Sequence, residues 1–403
     1  MRIDQCKKRC LFFIAIIALC SPALQAQDEQ PYSQRMAQTV MTIWKDSLPT
    51  GDKWTYDQGV ILKGIEGIWQ QTGDEKYFTY IQHCMDRYVT PDGNIRTYRQ
   101  ADYNIDNVLC GRNLLTLYKV LGTEKYYKAA TLLRDQLRKQ PRVHEGGFWH
   151  KNRYPNQMWL DGLYMGEPFY AEYAATFHED TAFNDIAKQF ILMEAKARDT
   201  KTGLLYHGWD QSKKERWANP ETGLSPNFWG RAMGWYGMAL VDVLDHFPAQ
   251  HPKRAELLAI LNRFATAIVK YQDKNSGLWY QVLDRGTAQG NYPEASASCM
   301  FVYTMAKAVR QGYLKPAYLP SVQKGYNGII KKFIETDANG QLNLNGTVSV
   351  SGLGGKPYRD GSYAYYLSEK VITNDAKGVG AFILASVEVE RLTDLNNKKT
   401  KLN

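Results

Sequence analysis

Apolar positions along the chain fall mostly at helical spacing, and two kinds of helix alternate. One kind is amphipathic. Gly73-Asp74-Glu75-Lys76-Tyr77-Phe78 opens a segment running toward Tyr88, and Gly122-Thr123-Glu124-Lys125-Tyr126-Tyr127 opens another running toward Lys139. Glu179-Asp180-Thr181-Ala182-Phe183 does the same before Ile186 to Glu194. In each, a turn residue and acidic groups precede an aromatic and then apolar residues at helical spacing, which marks a helix start. The other kind is rich in Gly, Ala and aromatics and apolar nearly all round: residues 59–71, 105–121, 162–177, 230–247 and 296–312, with 376–392 closing the set. Such helices need cover on every side, so they predict an inner ring enclosed by the amphipathic helices. The unit recurs at roughly fifty residues, as a helical-hairpin repeat does. About six hairpins of this kind predict a closed all-α toroid rather than an open solenoid.

A second pattern supports the repeat. Asp92-Gly93-Asn94-Ile95-Arg96, Thr202-Gly203-Leu204-Leu205-Tyr206, Ser276-Gly277-Leu278-Trp279-Tyr280 and Asn339-Gly340-Gln341-Leu342 read as turns followed by short extended segments. Each comes after an outer helix and before an inner one, so they predict loops gathered at one end of the barrel. No linker, Pro-rich stretch or charge block interrupts 30–395, which predicts a single domain over 27–403.

The first 26 residues read differently. Lys7, Lys8 and Arg9 precede an unbroken apolar run from Leu11 to Leu19, and Ser21 to Ala26 offers small residues for cleavage. This predicts a cleaved export signal over 1–26 and a periplasmic protein. The apolar run is too short for a membrane span, although Cys20 is a place where a lipid could attach. Without this segment Cys84, Cys110 and Cys299 remain, at spacings that suggest neither a disulfide framework nor a metal site.

Charge and aromatic content narrow the partners. The formal net charge is +9 and stays positive in the mature chain, partly through Lys398, Lys399 and Lys401. That suits a polyanionic partner, and with no nucleic-acid module and scattered positive charge an acidic glycan is favoured over nucleic acid. The 10 Trp, 27 Tyr and 14 Phe fill a core first, but rings at a cleft mouth also pack against sugar faces.

The candidate chemistry lies where inner helices begin. Asp106, in Asn104-Ile105-Asp106-Asn107, and Asp161, in Met158-Trp159-Leu160-Asp161-Gly162, each open one. If inner helices run parallel, these carboxyls meet at one mouth, and a carboxyl pair serves sugar hydrolysis with one group as acid and the other ionised. Asp at a helix start is more commonly a cap. The neighbours favour chemistry: Phe148-Trp149-His150-Lys151 lies upstream of Trp159 and Asp161, followed by Tyr206-His207-Gly208-Trp209 and Trp229-Gly230-Arg231. Arg231 reads equally well as a clamp for a substrate carboxylate or as half of a buried salt bridge. Metal-type His/Cys spacing, a phosphate loop after a strand and a nucleophile-elbow serine are all absent from the sequence. Gly352-Leu353-Gly354-Gly355 reads as flexible backbone near the mouth.

The string Trp159-Leu160-Asp161-Gly162-Leu163-Tyr164-Met165-Gly166-Glu167-Pro168-Phe169, with Phe148 to Lys151 ahead of it, resembles the unsaturated rhamnogalacturonyl hydrolases of glycoside hydrolase family 105. Trp229 to Trp235, Tyr206-His207, Gly361 to Tyr366 and Gly378 to Phe382 match in the same order, so the resemblance spans about Tyr32 to Arg391. It implies an (α/α)6 barrel with no metal or organic cofactor. It also implies a substrate whose terminal uronic acid carries a C4=C5 double bond left by a polysaccharide lyase. Asp161 matches the general acid/base and Asp106 the second catalytic aspartate. His150, Lys151, Trp159, His207, Trp229, Arg231 and Trp235 match pocket positions, as does Tyr56. Related glucuronyl hydrolases acting on glycosaminoglycan or ulvan fragments, a sugar epimerase leaning on histidines, and a non-catalytic periplasmic glycan-binding protein are the competing readings. The sequence leaves monomer and dimer equally open.

Overall fold

A computed structural model describes residues 30–49 and 51–402, with side chains through Leu395. The export segment 1–26 and Cys20 lie outside the described residues. Helices α1 (Tyr32–Ile43), α3 (Glu75–Asp86), α5 (Glu124–Lys139), α7 (Ala182–Ala197), α9 (Arg254–Lys270) and α11 (Leu319–Phe333) form the outer layer. Between them run α2 (Tyr56–Thr72), α4 (Gly111–Leu121), α6 (Leu160–Thr176), α8 (Gly230–Leu244) and α10 (Ala295–Arg310), and after the short α12 (Tyr363–Ser368) comes α13 (Ala376–Leu402). The inner helices pack in the order α2, α4, α6, α8, α10, α13, and α13 returns to α2. The ring is closed, and with its six outer partners it is an (α/α)6 barrel.

The pattern of burial follows the sequence pattern. Every residue of α8 is buried, as are Leu160 and Gly162 to Ala174 of α6. Outer α5 buries Tyr126, Ala129, Ala130, Leu133 and Leu137 and leaves the opposite face to solvent. Glycine lets the ring close tightly between its first and last inner helices. A Cβ at Gly380 would lie 2.6 Å from Val60 Cγ1, and one at Gly64 3.0 Å from Ile383 Cβ. The barrel interior also holds buried ions: Asp242 receives Arg112 Nη1 at 2.7 Å and Lys307 Nζ at 2.6 Å.

The expected turns are present. Gly93, Gly203, Gly277 and Gly340 have φ of +88°, +77°, +75° and +79°, and each donates its N–H back to Thr90, Asp199, Asp273 and Asp337 respectively. A fifth copy at Val143–Gly147, with Gly146 at φ +97°, precedes α6 and has the same backbone bond from Gly146 N to Val143 O.

Two local differences matter for the site. Residues 105–121 are not one helix: Ile105–Val108 is a 3₁₀ turn, and α4 begins at Gly111. The Asn104 side chain accepts from Asp106 N at 3.2 Å, and Trp54 Nε1 donates to Asn107 O at 2.8 Å, so a local cap and a tertiary bond together hold the turn apart from the helix. The glycine-rich loop at Gly352 is near the mouth but packed. Leu353 is fully buried with Tyr154, Trp159 and Trp217, and Arg359 bonds Gly354 O at 3.0 Å and Tyr154 Oη at 2.8 Å.

Candidate active site

Contacts between helix starts show that the inner helices run parallel and open on one mouth. Arg231 of α8 reaches Ser296 of α10 at 2.8 Å, and Lys377 of α13 lies 3.5 Å from Asp57 of α2. Asp106 and Asp161 belong to the same rim, and the charge of each acts on His150 between them.

Neither aspartate caps its helix. Asn104 takes that role beside Asp106, and α6 starts from Trp159 without a side-chain cap. Asp106 instead accepts from Lys151 Nζ, and its other oxygen lies 3.5 Å from His150 Nε2. Burial pushes the Asp106 carboxyl up, but the charge of Lys151, with His150 and Arg153 behind it, outweighs this and holds the group below the ordinary carboxylate range. Burial drives His150 the other way, down to about 4, so its ring is neutral near neutral pH.

Asp161 has a different neighbour. Its Oδ2 lies 3.1 Å from His207 Nε2, off the line of a hydrogen bond, while His207 Nδ1 is 2.7 Å from Tyr366 Oη. The short antiparallel strands β1 (Gln157–Trp159) and β2 (Gly208–Asp210) set this geometry by pairing Trp159 with Gly208, and Leu160 N then bonds His207 O at 3.0 Å. Trp159 is sandwiched between His150, at 4.4 Å and 18°, and Tyr154, at 5.0 Å and 22°.

The remaining candidate residues form walls and floor. Trp229, Arg231 and Trp235 are 2%, 1% and 1% exposed. Trp229 lies against His207 and Tyr366, and Trp235 stacks on Tyr164 at 4.8 Å beneath the edge of Tyr56 at 6.3 Å. Tyr56, the first residue of α2, remains part-exposed. Arg231 resolves in favour of the buried pair: Nη2 reaches Glu294 Oε1 at 3.4 Å and also donates to Val348 O, and Nε donates to Ser296. Nη1 is the one guanidinium nitrogen left for a ligand.

Sequence reasoning missed Glu294, Tyr366, Tyr154 and Leu353. Glu294 carried a usable signal, since an acid immediately before an inner helix is the feature that singled out Asp106 and Asp161. It accepts from Ala297 N at 2.7 Å and is a true cap. Tyr366 ends the Gly361 to Tyr366 string that carries part of the resemblance, but only the fold brings it to His207.

The Glycosyl Hydrolase Family 88 model matches residues 32–393. A solved glycoside hydrolase of family 105 from C. acetobutylicum ATCC 824 is 48% identical, with a TM-score of 0.87 over 90% of this chain and 100% of that one. Protein Atu3128 of Agrobacterium fabrum is 41% identical over 56% of this chain and 97% of its own length. The unsaturated rhamnogalacturonyl hydrolase YesR of Bacillus subtilis is 28% identical over 66% of this chain and 74% of its own. With its closed helical ring and a family match over nearly all the described residues, the chain belongs to Glycosyl Hydrolase Family 88 and is a glycoside hydrolase on the family 105 side of that group.

Proposed function

We propose that this hydrolase removes a terminal 4,5-unsaturated uronic acid from oligosaccharides cut by a polysaccharide lyase, with rhamnogalacturonan fragments the first substrate. The observation that carries the reading is the pair of unlike aspartates on one rim. Asp106 is held ionised by Lys151, whereas Asp161 faces the ring of His207 and, among the described residues, no lysine or arginine. Asp161 protonates C4 of the double bond and takes a proton from the water that adds to C5. Water is thereby added across C4=C5, and the resulting hemiketal opens and releases the neighbouring sugar. The His207–Tyr366 pair suits both stages. With Tyr366 O–H donating to Nδ1, Nε2–H faces the ionised Asp161; with the hydrogens reversed, Nε2 presents its lone pair toward the protonated acid. Asp106 orients the ring, and Arg231 Nη1 meets the uronate carboxylate at the opposite wall.

Similarity to YesR supports rhamnogalacturonan as the parent polymer. Export to the periplasm belongs to the same proposal and rests on Lys7 to Ala26; no described helix is long and apolar enough to cross a membrane. The test mixes the protein with lyase-made disaccharides from rhamnogalacturonan, chondroitin and ulvan and follows the ultraviolet absorbance of the conjugated double bond. Fastest loss on the rhamnogalacturonan product supports the proposal. Faster loss on another product reassigns the substrate, and no loss on any refutes the reaction.

A further inference from the structure

A small cavity lies behind His150, lined by Ile105, Phe148, Met158, Gly162, Glu167 and their neighbours. Its free volume of about 10 Å³ has room for a single water molecule. Most polar groups along its wall are committed. Trp159 Nε1 donates to Gln157, and Gln189 bonds Phe148 N through Oε1 and both Gly146 O and Asp185 through Nε2. Two buried atoms have no partner: His150 Nδ1 and Glu167 Oε2. The residues are 3% and 1% exposed, so neither finds bulk water. Gly162 keeps the approach open, since a Cβ there would sit 3.1 Å from His150 Nδ1.

We propose that Glu167 is a positioning residue: it donates, across one water in the cavity, the hydrogen bond that holds His150 with Nδ1 as acceptor and Nε2–H turned toward Asp106. The hydrogen count requires such a donor. His150 is neutral, so one nitrogen carries hydrogen and the other accepts. Asp106 is ionised and faces Nε2 at 3.5 Å, so Nε2 carries the hydrogen. Nδ1 must then accept, and the uncommitted polar group on the cavity wall is Glu167. A carboxylate could not donate, but burial pushes Glu167 well above the ordinary range; Asp185 adds to this, and Arg142 and Arg134 only partly offset it. The chain from Glu167 through His150 thus turns an N–H toward the Asp106 oxygen that Lys151 does not hold. Only its kinetic consequence rests on the proposed function.

The test is the nitrogen NMR spectrum of the labelled histidine rings in substrate-free protein, with the Glu167 carboxyl carbon followed in parallel. Between about pH 5 and 8 His150 should show unprotonated Nδ1 and protonated Nε2, with no titration of Glu167. Glu167→Leu should mix the tautomers and lower kcat about tenfold, the worth of one buried hydrogen bond, with KM unchanged. Glu167→Gln, whose amide also donates, should recover the tautomer and most of the lost rate. In the wild type, a protonated Nδ1 or a Glu167 that titrates at the ordinary carboxylate pKa overturns the proposal, even if Glu167→Leu fails to fold. So does a folded Glu167→Leu that keeps both the wild-type tautomer and kcat. Because the spectra need no substrate, a wrong substrate assignment would leave this result standing.

Discussion

Lys151→Met removes the charge that faces Asp106 while keeping most of the side-chain volume. Both partners are 12% exposed at the side chain, so the pair is nearly but not wholly withdrawn from water. At contact distance and an effective dielectric of about 20, its attraction is about 5 kcal/mol. Desolvation takes back part of that, and removing one partner of a buried pair costs about 3–5 kcal/mol because the other charge is stranded. With His150 Nε2 still 3.5 Å from the carboxylate, the expected cost is near the lower end, ~3 kcal/mol. Asp106→Asn strands Lys151 in turn and should cost a similar amount. The double variant strands neither, so urea denaturation of the four proteins should give a coupling of about 2–3 kcal/mol at neutral pH. The sign of the pH dependence follows from Asp106. Its folded carboxyl lies below the unfolded one, so its stabilisation is complete above the unfolded value of about 3.9 and is lost as pH falls through the lower folded value. The coupling should therefore be largest at about pH 7 and shrink toward acid, first because the stranded carboxyl of Lys151→Met takes up a proton and then, below about pH 4, because Asp106 of the wild type is itself neutralised. Additive single effects within about 0.5 kcal/mol, or a coupling that grows toward acid, would refute the reasoning.

Three further outcomes are expected. Asp161→Asn should lower kcat about 10²–10⁴-fold with an unchanged melting temperature and ligand affinity, because its carboxyl bonds no structural partner; full activity would remove Asp161 from the chemistry. Arg231→Lys cannot serve Glu294, Ser296 and Val348 O together, so it should lose about 2 kcal/mol of stability and raise KM; unchanged melting and kinetics would dismiss both the buried cluster and the clamp. Gly111→Ala should destabilise by about 1–2 kcal/mol despite its better helix propensity, because the new Cβ lies 2.5 Å from the Phe169 ring; a higher melting temperature would show that the ring moves aside freely.

The ring of helices is legible in one dimension because burial on all sides leaves no polar stripe, and α8 is buried along its whole length. The aspartates are legible for a related reason: a helix start is a local feature, and Asp106 and Asp161 stand where the apolar pattern begins. What places their partners is not local. His207 meets Tyr366 across 159 positions, and Arg231 meets Glu294 across 63, so neither pair can be read from its own segment. Trp54, reaching Asn107 across 53 positions, helps hold the 3₁₀ turn under Asp106, and only the Asn104 cap is local to it. The glycine-rich loop misleads for the opposite reason. Glycines suggest freedom, yet Gly354 and Gly355 adopt φ of +64° and +82° in a loop whose one apolar residue, Leu353, is seated beside Trp159. A lone leucine among glycines was the usable signal, since flexible backbone has no need of an apolar anchor. The same logic makes Glu167 worth testing: a carboxyl in the middle of an apolar helix costs too much to be incidental, and its partner had to be sought across the barrel wall.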